Sequence, residues 1–148
     1  MSQLNVIDVV PVLDASILAD NDVFMVAYEI KDVFNKNKAR KLLSVVVLDT
    51  DDQAVDFDLF FSNATITLGT ANAAITISDA DAAKIVGSVV MTASSHSTDL
   101  ANSTLYTQAL THGIVMQPVT SSLFISGVVR SGTPTFTAAG MKIKLGFE

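Results

Sequence analysis

Strict alternation of apolar and polar side chains is the feature that most narrows what this chain can become. Along Met141-Lys142-Ile143-Lys144-Leu145-Gly146-Phe147, Met, Ile, Leu and Phe project one way and Lys, Lys and Gly the other. A period of two belongs to a strand with one buried face, because successive Cβ atoms of a strand point to opposite sides. Val55-Asp56-Phe57-Asp58-Leu59-Phe60-Phe61 repeats it, with Val55, Phe57, Leu59 and Phe61 inward and Asp56 and Asp58 outward. Ala64 to Leu68 and Ile75 to Ile77 alternate with threonine, whose β-branch suits a pleated surface.

Other segments are continuously apolar and read as more deeply buried strands: Val6 to Leu13, Val23 to Ile30, Leu42 to Leu48, Val89 to Met91 and Leu123 to Val129. Gly127 marks a bulge or a close approach within the last of these. Pro11 cannot donate to a ladder, so the first strand belongs at a sheet edge or in an extended arm. Asp49-Thr50-Asp51-Asp52 and Ser131-Gly132-Thr133-Pro134 are among the turn signals between the runs. One segment departs from the β pattern. Ser78-Asp79-Ala80-Asp81 has the form of a helix start, and Gly87 ends the run of Ala82, Ala83, Ile85 and Val86, which predicts one short helix near 79–86. The expectation is a single all-β domain over residues 1–148, an antiparallel β-sandwich or β-barrel, with 1–13 an extended arm or edge strand.

Composition bounds the function. The chain of 148 residues has no cysteine, which removes disulfides, thiolate metal sites and cysteine nucleophiles. Apolar residues make up 49% and charged ones 16%, against about 25% charged in average domains. Mean hydropathy is +0.46, yet no apolar stretch approaches the roughly 20 residues that a spanning helix needs. Met1 leads into Ser2-Gln3 with no basic-then-apolar segment, so no signal peptide and no membrane are expected. The surplus apolar character instead predicts a homo-oligomer or burial on a larger surface. A net charge of −6 argues against nucleic acid, whose phosphates demand a basic face.

Candidate chemistry is thin. His96 lies in Ser94-Ser95-His96-Ser97-Thr98-Asp99, which supplies the residue types of a hydrolytic triad, but triads are assembled from distant segments and this stretch reads as a polar loop. His112 precedes Gly113 and reads as a turn residue. Asp49, Asp51 and Asp52 match a calcium loop only in part, since Ala54 and Phe60 hold the positions that want glycine and glutamate. A solvated hairpin tip explains them. Asp56 and Asp58 fall about 7 Å apart on one strand face, and without tryptophan platforms an exposed face explains them better than a glycosidase pair. Lys36, Lys38, Arg40 and Lys41 form a basic cluster, read as an exposed turn or as a loop docking on an acidic partner. No glycine-rich phosphate loop is present. No catalytic residue, cofactor or metal ligand is expected.

Four stretches carry a resemblance. They are Ile7 to Asp14; Lys41 to Asp49 with Asp51-Asp52-Gln53; Leu68 to Ala74 leading into Ile77 to Ile85; and Arg130 to Phe136 running on to Leu145-Gly146-Phe147. In this order they resemble a family of tailed-bacteriophage virion structural proteins. The resemblance implies a capsid decoration or cement protein, commonly a trimer, made in the host bacterial cytoplasm and placed on the exterior of the major capsid protein's shell. Beside it, Val6, Val9, Val10 and Val12 form a candidate arm that adds a strand to a partner sheet. The alternatives are another virion module, in the tail, neck or fibre, that binds a partner protein or host glycan, and a small hydrolase using His96.

Overall fold

A computed structural model describes residues 3–35 and 38–148. Nine strands run β1 (Asn5–Val9), β2 (Val23–Ile30), β3 (Arg40–Asp49), β4 (Phe57–Ser62), β5 (Ile85–Met91), β6 (Ser97–Asp99), β7 (Thr104–Met116), β8 (Leu123–Val129) and β9 (Met141–Phe147). They form two antiparallel sheets, in the orders β1-β9-β3-β7-β6 and β2-β8-β4-β5. Each sheet keeps its own edges, so the architecture is a sandwich and not a closed barrel.

The alternating segments behave as their pattern demands. In β9, Met141, Ile143, Leu145 and Phe147 are buried while Lys142 and Lys144 are exposed. Val55, Phe57, Leu59 and Phe61 are likewise buried, from the approach to β4 and from the strand itself. Aromatic rings tie the sheets together. Phe57 of one sheet meets Tyr106 of the other edge-on at 5.0 Å, and Phe24 meets Phe57 edge-on at 5.9 Å. These geometries align ring edges with ring faces, the arrangement the aromatic quadrupole favours. Tyr106 donates its hydroxyl to the Val55 carbonyl at 2.7 Å, so the buried oxygen is satisfied.

Several expectations change. The runs Ala64 to Leu68 and Ile75 to Ile77 are not strands; the bridge Asp22–Ala74 is isolated. Their alternation is used differently. Ile66 and Leu68 are buried with Val23 and Val128, and Ile75 and Ile77 pack against that cluster. The segment lies over the back of the four-stranded sheet, and alternate side chains can be buried there without a ladder. The helix predicted near 79–86 is shorter: α1 spans Asp79–Ala82, with the Ser78 hydroxyl accepting the Asp81 N–H. Ile85 and Val86 enter β5, where the sheet buries them better than an isolated turn could. A second turn, α2 (Ala93–His96), carries no amphipathic period.

The longest strand, β7, was not visible in the sequence because its polar and apolar residues are mixed (Thr104 to Met116). His112 and Gly113, read as a turn, lie inside it. Gly113 adopts φ +69°, and the register against β3 jumps from Leu42–Ile114 to Ser44–Ala109. The extra residues form a bulge that bends the strand without ending it. The run Leu42 to Leu48 is buried on one face only, through Leu42, Val45 and Val47. Its other face, with Val46 and Leu48, is half-buried on the back of the five-stranded sheet.

Candidate functional site

The residues offered for chemistry are engaged within the chain. His96 accepts the Thr92 N–H on Nδ1 at 2.9 Å, closing the α2 turn. The Ser97 hydroxyl donates to the Ala93 carbonyl, and the Asp99 carboxylate accepts the Ala101 N–H at 2.7 Å. The structure therefore keeps the histidine, serine and aspartate of that stretch on separate local partners. His112 is exposed on β7.

The acidic cluster is a corner and not a hairpin tip, because β3 and β4 lie in different sheets. Asp49 is fully buried, and its two oxygens accept the N–H groups of Asp51 and Gln53, each at 2.9 Å. Burial pushes its carboxyl pKa up, against the lowering effect of those two bonds. Asp51 accepts the Thr137 N–H at 2.8 Å, and Asp52 accepts the Thr104 hydroxyl at 2.8 Å. These carboxylates fasten the chain where it crosses between sheets. Among the described residues no group of three or more His, Cys, Asp or Glu is placed to hold a metal ion. Asp56 and Asp58 are half-buried instead of exposed: Asp56 accepts the Ala93 N–H at 2.8 Å, and Asp58 pairs with Arg130 at 2.7 Å.

The basic cluster divides. Lys36 lies outside the described residues. Arg40 donates to the Val33 carbonyl at 2.9 Å and to Asn5, and its guanidinium covers the Phe147 ring at 4.7 Å. Partial burial lowers its pKa. Lys41 faces Glu148 at 3.9 Å. Lys38 is exposed beside a cleft that also holds Asp32 and Glu148, so the neighbourhood is of mixed sign.

What stands out is apolar. A chain of 15.6 kDa is expected to expose roughly 7,250 Å², and this one exposes 7400 Å². The total is ordinary for the mass, and the exposed large apolar side chains are concentrated. Of ten large exposed hydrophobics among the described residues, five (Leu4, Val6, Val10, Val12 and Ile17) precede β2. Val6 and Val10 leave 64% and 47% of their surface open, while Val9 turns into the core. β1 itself pairs with β9 from Asn5–Phe147 to Val9–Ile143, so the candidate arm is the edge strand of its own chain in this structure. Behind it, Val10, Val46, Leu48 and Leu105 line a groove of about 250 Å³ on the back of the five-stranded sheet, rimmed by Lys142 and Lys144. A second groove, along Leu4, Val6, Leu43 and Gly146, continues the same face. Ile17 carries no signal in the sequence, and Val26, part of a run read as deeply buried, is 44% exposed on the edge strand β2.

No protein-family model matches the chain, and no curated protein matches it. Among solved structures it is similar to a chain from the structure of tomato aspermy virus determined by X-ray crystallography, at 11% identity and a TM-score of 0.42. The match covers 98% of this chain and 75% of that one. No helix among the described residues is long and apolar enough to cross a membrane.

Proposed function

We propose that this chain is a non-enzymatic virion structural protein, a capsid decoration or cement protein that self-associates and clamps the major capsid shell from outside. One observation carries the reading. The chain covers the back of its four-stranded sheet with its own residues 64–77, yet leaves apolar grooves open on the back of its five-stranded sheet and along the β1 edge. A surface of that kind calls for a protein neighbour. The engagement of His96, Asp49, Asp56 and Asp58 in hydrogen bonds within the chain supports a scaffold role over a catalytic one. The resemblance to phage virion proteins supplies the shell as partner and three-fold association as the expected symmetry.

Virions with and without the protein are to be heated while genome release is followed by dye fluorescence. Particles lacking it should release DNA at a lower temperature. Identical release curves remove the cementing role. Image reconstruction separates this reading from a tail or fibre module, since extra density must lie on the capsid lattice and not at the tail.

A further inference from the structure

We propose that the β1 edge is a two-fold contact between copies of this chain, in which β1 pairs antiparallel with the β1 of a second copy and joins two five-stranded sheets into one. The inference rests on the assembly reading above and adds to it a contact that joins copies in pairs, beside the three-fold association, with its surface and register named.

A sandwich has open sheet edges, and an open edge is a template for another strand unless it is guarded. Three of the four edges here are guarded. The β2 edge is occupied by its own chain: Val23 exchanges backbone bonds with Asn72 and Ala73, Phe24 accepts the Asp14 N–H at 2.8 Å, and Ala27 bulges at φ +33°. The β5 edge turns onto β7, so closely that a Cβ at Gly87 would stand 2.9 Å from Ile114. The β6 edge is three residues long, and past it the outer side of β7 lies against β5. The β1 edge has none of these devices. Its five residues pair with β9 in unbroken register, and among the described residues none of them makes a backbone bond to any other segment.

Parity and charge select the occupant and the register. Residues opposite each other in an antiparallel pair point to the same face, so only registers that keep Asn5, Ile7 and Val9 on the core side are allowed. Pairing Ile7 with Ile7 of the second copy engages all five residues. It sets Val6 opposite Asp8 and brings Leu4 level with Val10, so exposed apolar side chains on each copy cover those of the other. A shift by two residues in one direction would set Asp8 against Asp8, which like charge disfavours. A net charge of −6 makes copies of the chain repel at long range. At this edge Asp8, the acid of β1, is matched by Lys144 at 2.8 Å on the same strand pair, so it brings no unpaired like charge to the contact.

The register is tested with cysteines, because the chain has none of its own. Val6→Cys and Asp8→Cys proteins are mixed and oxidised under mild conditions. Opposed positions come within about 5 Å of each other, whereas the diagonal pairs formed by either variant alone stay about 7–8 Å apart. The expected result is a cross-linked dimer in the mixture and little in either variant by itself. In parallel, Val6→Lys with Val10→Lys, both at exposed positions, should halve the mass of the sedimenting species at unchanged melting temperature measured in dilute solution. Equal cross-linking in all three samples, or none in the mixture, overturns the β1 contact. If a trimer persists in that case, the assembly reading survives without it; a monomer at every concentration removes both.

Discussion

Gly127 is the position where core geometry can be tested most sharply. It lies at the centre of β8, opposite Met25 on β2 and Leu59 on β4. A Cβ placed there would stand 2.5 Å from Cζ and 2.7 Å from Cε1 of Phe24. Carbon atoms in favourable contact are about 3.5–4.0 Å apart, so Gly127→Ala forces the ring back by roughly 1 Å. The ring has nowhere to go: Phe24 is 1% exposed, with Phe57 at 5.9 Å and Phe136 at 5.4 Å. Overpacking of this kind costs about 1–3 kcal/mol. Alanine recovers about 0.5–1 kcal/mol through its lower backbone entropy in a strand, so the net loss is at most about 2.5 kcal/mol and about 1 kcal/mol at mid-range. For a chain of this length a loss of about 1 kcal/mol lowers the melting temperature by roughly 2–4 °C. Equilibrium denaturation in urea measures it directly. Phe24→Leu vacates part of the space, so the double variant should be less destabilised than the two single losses summed, by about 1 kcal/mol. A neutral Gly127→Ala, or strict additivity with Phe24→Leu, would show that the close approach is not there.

The polar groups supply three further tests. Burial raises the Asp49 pKa above its unfolded value, so the residue's contribution is fully present below the unfolded pKa, near 3.9, and is lost as pH rises through the folded one. The stability of the native protein minus that of Asp49→Asn should therefore fall from about pH 3 to pH 7; a constant difference across denaturation curves in that window refutes the assignment. Arg130→Met removes bonds to Asp58 at 2.7 Å and Asn21 at 2.6 Å and strands a largely buried carboxylate, so unfolding titrations should show a loss of about 1–2 kcal/mol. His96→Ala leaves the Thr92 N–H without its acceptor and should cost about 1 kcal/mol; if the same change instead abolished turnover of an ester or glycoside, the scaffold reading would fall.

The amino-acid order by itself determined the class of fold. Alternation at Met141 to Phe147 and Val55 to Phe61 needs no partner to be legible, because the two-residue period is a property of the single strand. Gly127 and Pro11 were legible for the same local reason: one lacks a Cβ and the other an N–H. The tertiary structure alone decided the rest. Ile66 and Leu68 alternate like a strand, yet they cap a sheet's back, since periodicity reports which side is buried and not what buries it. Asp49 looked like a solvated turn and is buried, because β3 and β4 separate into different layers and the corner between them must satisfy its own N–H groups. Arg40 looked free and is held against Phe147. The open β1 edge emerged in the same way. An edge is defined by what fails to pair with it, and pairing is a relation between segments far apart in the chain.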